Sequence, residues 1–322
     1  MKKRTRISLA SAAALGLAAG GLGIAQATAN TAAPSKPRAE APDIPVEKVQ
    51  GHLGELQKIA EANGGNRAHG SKGYKASIDY IKKELDAAGF TTKVQEFDAQ
   101  GAKGYNLIAD WKGGDEGKTV MAGAHLDSVE EGPGINDNGS GSATLLQTAL
   151  AVSEGKYEPG KHLRFGWWGG EELGLLGSSA YVKSLSDDEK SKISSYLNFD
   201  MTGSPNPGYF VYDSSKEPEG SKAVQDSLTA SLKEAKIEAE PQDINGRSDH
   251  AAFSEAGIAN GGIFSGAEET KSQEQADKWG GKAGEAFDKC YHSKCDTTEN
   301  IDEKALNINA DAIAKSVWEL SK

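Results

Sequence analysis

Between Val46 and Ala62 apolar side chains return every three or four residues, at Val49, Leu53, Leu56, Ile59 and Ala60, and the run stops at Gly64-Gly65. That spacing puts them on one face of an α-helix. A second helix is predicted over Tyr74 to Ala88 from Ile78, Ile81 and Leu85, with Gly89 closing it. Thr91 to Phe97 alternates as a half-buried strand does, and Tyr105 to Trp111 reads as another. Lys118 to His125 is almost continuously apolar, which predicts a central strand covered on both faces. The alternation then continues: helix at Ser142 to Ser153, strand at Leu163 to Trp168, helix at Leu173 to Leu185, strand at Ser195 to Asp200. Tyr209 to Tyr212 is short and extended, Lys222 to Ala235 helical, Gly261 to Phe264 extended, and Lys304 to Leu320 a closing helix. Strands alternating with helices predict an α/β fold, a single-domain sandwich whose central, mostly parallel mixed sheet is flanked by helices.

The first forty residues break this pattern. Met1 to Arg6 is basic, Ile7 to Ile24 is an apolar Ala/Leu/Gly segment, and Ala27-Thr28-Ala29 is a small-residue cleavage site. This reads as a secretory signal peptide over 1–29 rather than a membrane anchor, because Ala and Gly outweigh Leu and Ile and a cleavage site follows. Residues 30–40 hold Pro34, Lys36, Pro37 and Arg38 and little that could be buried, as in a linker or pro-segment. The catalytic domain is expected over 41–322, which contains no run apolar and long enough to span a bilayer. The chain of 322 residues carries a net charge of -11, and residues 1–40 hold six Lys/Arg against one Glu, leaving the remainder near -16. Such a surface argues against nucleic acid or an anionic membrane as a partner. Two cysteines, Cys290 and Cys295, flank Tyr291-His292. In an exported protein they predict one local disulfide, and the rival, a Cys290/His292/Cys295 zinc knot, lacks a fourth ligand nearby.

Candidate chemistry collects where predicted strands end. His125-Leu126-Asp127 could put two side chains on one side of an extended segment, with His125 on a metal and Asp127 accepting from its other ring nitrogen. Taken alone this is as well a buried histidine beside a chance aspartate. Asp137 lies in Gly134-Ile135-Asn136-Asp137-Asn138-Gly139-Ser140-Gly141, whose glycines permit unusual backbone angles that could drive one carboxylate inward. An Asx-rich turn opening a helix would explain the same composition. Glu171-Glu172 follows a strand, and adjacent side chains diverge, so one could ligate a metal while the other faces a water. An acidic helix N-terminus is the rival there. Asp200 closes the strand Tyr196 to Phe199, where a charge needs a partner. Together His125, Asp137, Glu172, Asp200 and His292 offer two imidazoles and three carboxylates, a set suited to two zinc ions about 3.5–4 Å apart bridged by one carboxylate and one water. Asp249-His250 is the alternative metal pair, read here as lying outside that shell with Arg247 shaping the substrate end. His52, His69 and His162 show no partner pattern and are expected to be surface or packing residues.

These motifs, in this order and spacing, resemble the secreted bacterial co-catalytic two-zinc aminopeptidases. The likeness runs from about Ala41 to the C-terminus and includes Asn66-Arg67-Ala68-His69-Gly70, Ala122 to Ser128, the 134–142 loop and Gly246 to His250. The resemblance implies that His125 and Asp200 bind one zinc, that Glu172 and His292 bind the other, and that Asp137 bridges. Glu171 would be the general base, Asp127 would orient His125, Tyr291 would stabilise the oxyanion, and Arg247 would line the site near the leading residue. A cis peptide at Asp137–Asn138 is implied too. So is a calcium site of Asp43, the Ile44 carbonyl and Asp311, although Asn307 stands where an aspartate would be expected, which weakens it. The reading is a secreted monomeric zinc aminopeptidase acting on peptide or protein N-termini. A preference for large apolar leading residues such as Leu is implied by the resemblance alone. The rivals are a metal-dependent deacylase or carboxypeptidase and a non-catalytic binding domain on the same scaffold.

Overall fold

The structure, a computed structural model, describes residues 40–322. The expected signal peptide, and the linker up to residue 39, lie outside them. Eight strands form one mixed sheet in the order β1-β2-β4-β3-β5-β8-β6-β7. They are β1 Thr91–Ala99, β2 Ala102–Asp110, β3 Asp115–His125, β4 Lys161–Trp168, β5 Ile193–Phe199, β6 Phe210–Tyr212, β7 Glu240–Gln242 and β8 Asn260–Phe264. The four middle strands, β4, β3, β5 and β8, run parallel, while β1 and β2 extend one side antiparallel.

The apolar pattern of β3 explains why it sits in the middle. Val120, Ala122 and Ala124 face one core together with Leu163, Phe165 and Trp167 of β4 and Leu197 and Phe199 of β5. Met121 faces the opposite core with Trp168 and Tyr196. A strand covered on both sides has no polar face, which is why its run reads as continuous. On the first side the sheet packs against α1 (Val46–Ala62), α2 (Lys72–Ala87), α3 (Gly141–Glu154), α6 (Ser221–Glu234) and α9 (Glu303–Leu320). On the second lie α4 (Leu176–Ser184), α5 (Asp187–Lys192) and α7 (His250–Glu255), with Tyr181, Val182 and Phe253 in the core.

Some elements depart from the pattern reading. The helix expected from Leu173 is interrupted: Glu171–Leu173 is a single 3₁₀ turn, and α4 starts only at Leu176. Gly170, Gly174 and Leu175 are all left-handed there, so the chain reverses before it can become α-helical. The short helices α5, α7 and α8 (Gln273–Trp279) and the three-residue edge strand β7 carry too few apolar positions to show a period. Ser186 with Glu189 and Ser272 with Gln275 nonetheless form capping boxes at α5 and α8, a signal legible in sequence.

Candidate active site

Parallel strands deliver the site to one rim. His125 ends β3 beside Trp168, the last residue of β4, and Asp200 follows the end of β5. Polar groups at the carboxyl ends of parallel strands are where open α/β sheets bind ligands. The carboxylate of Asp127, fully buried, accepts the backbone N–H groups of Glu171 at 3.1 Å and Glu172 at 3.4 Å. It thereby fixes the turn carrying both glutamates against the end of β3. This adds to the role expected of Asp127 beside His125. The nearest acceptor to His125 Nδ1 is the Asp127 carbonyl at 3.2 Å, with the carboxylate 3.6 Å away.

Asp137 reaches the same point through an irregular turn, Ile135–Ser140, and the Asp137–Asn138 peptide is cis. Two glycines are required there. A Cβ on Gly134, at φ 60°, would lie 2.4 Å from the Asp137 carbonyl oxygen, and one on Gly141 would lie 2.3 Å from that of Phe199. Asn138 locks this turn to β5 by donating to the Phe199 carbonyl at 2.8 Å and accepting from Met201 N–H at 3.1 Å. His292 arrives from a loop without regular structure. Its backbone, like that of Met201, is left-handed at φ 53°. The Cys290–Cys295 disulfide closes this loop, so no cysteine is left for a zinc knot.

Asp137 stands between the two imidazoles. Its Oδ1 is 3.3 Å from His125 Nε2 and its Oδ2 is 3.2 Å from His292 Nε2. Asp200 Oδ1 is 3.4 Å, and Glu171 Oε2 3.9 Å, from His125 Nε2, and Glu172 Oε2 is 2.9 Å from His292 Nε2. Each imidazole therefore has its own carboxylate and shares Asp137. Burial alone would lower the His125 pKa, but Glu171 and Asp200 outweigh it and hold it well above the ordinary value. Burial likewise opposes the charge on His292, and bonds to Asp137 and Glu172 push it up to about 10. Burial raises Glu171 well above a normal carboxyl, and raises Glu172 to about 7 with the charge of Asp137 adding to it. Asp137 itself is held low, because the two imidazoles overcome its burial.

The arrangement fits divalent metal. Two groups of ligand atoms converge within 4.8 Å, His125/Asp137/Glu172 and His125/Glu171/Asp200. Glu172 Oε1 and Asp200 Oδ1 are buried without a hydrogen-bond partner, which a protein interior tolerates poorly unless something else satisfies them. A cation between these oxygens would do so, and nitrogen and oxygen donors of this kind suit zinc.

The remaining expected residues fall in two places. Tyr291, stacked on His292 with centroids 3.8 Å apart, and Arg247 both line the cleft over the site, about 140 Å³ in volume. Burial first, then the charges of Asp137, Asp200 and Glu172, raise the Tyr291 pKa and keep its hydroxyl protonated. Arg247 is half exposed and pairs with Glu268 at 2.9 Å and Glu269 at 3.2 Å. Far from the cleft, Ile44 donates its backbone N–H to Asp311 Oδ1 at 2.7 Å, a direct tie between the N-terminal segment and α9 that takes up one of the oxygens expected to face calcium.

Sequence reasoning missed the supports. Asp296 accepts from the backbone N–H groups of Asn136 at 2.8 Å and Asp137 at 3.0 Å. Asp288 takes Asn136 Nδ2 at 2.6 Å and the Cys290 N–H at 2.8 Å, and Asn300 joins the two acids. Both are 1% exposed. The only trace in the sequence is position: Asp288 and Asp296 bracket the disulfide loop on either side of Cys290 and Cys295. Ser248, which donates to Asp200 Oδ2 at 2.6 Å, was passed over inside the quoted 246–250 stretch. Asp249, also in that stretch, is fully buried, and burial raises its carboxyl to about 7.

Comparison with known proteins gives the family. Residues 106–317 match peptidase family M28. Leupeptin-inactivating enzyme 1 of Streptomyces exfoliatus is 57% identical over 311 residues, 96% of this chain and 70% of that protein. An aminopeptidase of Pseudomonas aeruginosa is 50% identical over 216 residues, 65% of this chain but only 40% of its own length. Among solved structures, a Bacillus subtilis zinc aminopeptidase superposes with a TM-score of 0.75 at 19% identity, covering 88% of this chain and 97% of that one. The chain belongs to peptidase family M28 and is an aminopeptidase of that family.

Proposed function

We propose that this aminopeptidase works with two zinc ions, one held by His125 and Asp200, the other by Glu172 and His292, with Asp137 shared. The observation that carries the reading is the Asp137 carboxylate turned between two imidazoles, one oxygen toward each. Zinc bound there would polarise the scissile carbonyl and acidify a water at the centre. The protein supplies the rest. Glu171, whose buried carboxyl has a raised proton affinity, takes the proton of the attacking water and passes it to the leaving amine. The substrate's free amine sits against Glu171 and Asp200. Tyr291, protonated, donates to the oxyanion. Met201, Ile244 and Phe264 in the cleft wall provide apolar contact for a large leading side chain such as Leu, with Arg247 at the rim.

Export as a mature domain beginning near residue 41 follows from the same reading, and the disulfide supports an oxidising compartment. A monomer acting on peptide or protein N-termini is the simplest form. A calcium ion at Asp43, the Ile44 carbonyl and Asp311 would compete with the Ile44 N–H bond to Asp311, and Asn307 adds no charge to help it.

Metal analysis of the mature protein, with activity measured before and after chelation, tests the proposal. Two zinc ions per chain and activity restored by zinc are expected. Leucine nitroanilide should be cleaved and its N-acetylated form should not. Cleavage of the blocked compound alone would replace this reading with that of a deacylase.

A further inference from the structure

A further cavity, about 290 Å³, adjoins the leading-residue cleft at Glu172, which lines both. We propose that this cavity binds the residue that follows the scissile bond, and that it selects a basic residue, Lys or Arg, there. The inference rests on the aminopeptidase reading and extends it.

Direction comes first. Asp200, Met201 and Arg247 line the first cleft and are absent from the second. A peptide whose amine meets Glu171 and Asp200, and whose leading side chain enters the first cleft, can continue past Glu172, the residue that lines both cavities. The second cavity lies there. Asp127 and Glu172 line it on the side of the centre, and Ala68, His69 and Val129 to Glu131 supply the rest of its wall with Leu173.

Chemistry comes second. Leu173 is 48% exposed, the one large apolar side chain left open among the described residues. It follows the two active-site glutamates on the same 3₁₀ turn, so it is positioned as firmly as they are. Glu130 and Glu131 are exposed, neither has an ion-pair partner among the described residues, and no Lys or Arg lines the cavity. His69 Nε2 lies 3.2 Å from the Ala99 carbonyl, which holds the ring in the cavity wall. The cavity thus offers an apolar wall, acceptors and negative charge, and no cation. A lysine or arginine stem can lie on Leu173 while its head reaches Glu130 or Glu131. The walls are preformed: Asn66 Nδ2 donates to the Glu130 carbonyl at 3.1 Å and Ser128 N–H to the Arg67 carbonyl at 3.3 Å.

The test uses the zinc-loaded mature enzyme with leucinamide, which has no residue beyond the scissile bond, and with the amides of Leu-Lys and Leu-Glu. The wild type should favour Leu-Lys over Leu-Glu about fivefold in kcat/KM, as expected for an exposed ion pair, and the ratio should shrink at high salt. The double variant Glu130→Gln/Glu131→Gln should bring the ratio close to one while leaving leucinamide turnover within about twofold. Leu173→Ala should slow both dipeptide amides and spare leucinamide. A ratio that survives in the double variant, or a loss on leucinamide that matches the loss on the dipeptides, overturns the inference. If the wild type fails to turn over leucinamide at all, the aminopeptidase reading itself falls.

Discussion

The two halves of the proposed metal-ligand set are held by different physics. His125 and Asp200 close parallel strands whose register is fixed by hydrogen bonds and by apolar faces on both sides. His292 stands on a loop with no regular structure, 41% exposed, pinned by a disulfide and by two buried carboxylates that grip the Asp137 turn. The strand half is part of the core, so damage to it costs the fold. The loop half is an attachment to the core, so damage to it should cost the metal first. Asp137 and the Glu171-Glu172 turn lie between, and each is tied to both regions.

The sharpest test of the junction is Glu171→Gln, which removes the proposed proton carrier and keeps the shape. A fall in kcat of about 10²- to 10⁴-fold is expected, with zinc content and thermal stability unchanged. Steady-state kinetics beside metal analysis would check it. Unchanged turnover would remove Glu171 from the reaction.

The contrast between the halves is tested by a pair of variants. Leu197→Ala in β5 empties a fully buried core position and should cost about 2–5 kcal/mol in denaturant unfolding. Asp296→Asn keeps one acceptor oxygen and loses the second, loosening the bond pattern at the Asn136 and Asp137 N–H groups. It should weaken zinc binding about 10- to 100-fold while lowering stability less than Leu197→Ala does. The reverse order of effects would mean that the loop is structural and the strand ends are not.

This division also decides what was legible in the sequence. The strand half was legible because burial on both faces forces a continuous apolar run, as in β3 and β4, and a polar residue at its end then stands out. The Asp137 loop was legible because its geometry demands glycine at 134 and 141. Asp288 and Asp296 were not read, because each gains its meaning from partners far off in sequence, Asn136 and Asp137 being 152–160 positions away, and Asn300 matters only through those two acids. Asp127 was read as a support of His125, but its second task, accepting the backbone N–H groups of Glu171 and Glu172, was not, since that depends on a reversal at Gly170 that no periodicity marks. The interrupted helix at 173–175 has the same origin.

The smallest effect concerns protons. In the zinc-free protein His292 titrates near about 10, above the ordinary 6.5 of an unfolded histidine, because Asp137 and Glu172 stabilise its charged form. Its contribution to stability is fully present below about pH 6.5 and is lost as the pH rises through about 10. Glu172, raised from 4.5 to about 7 by burial, acts in the same direction at lower pH, since its protonated form suits the folded state and that advantage disappears as the pH passes about 7. Zinc reverses this, because it needs a neutral imidazole and an ionised carboxylate and so competes with the same protons. Melting temperature measured from pH 6 to 10 should therefore fall with pH in zinc-free protein more steeply than in its His292→Gln variant, by a few degrees at most because the imidazole is partly solvated. Zinc affinity over the same range should rise with pH. Equal slopes in the wild type and His292→Gln would show that the loop imidazole is not held by the carboxylates, and with that the attachment of the loop half to the strand half through Asp137 would fail.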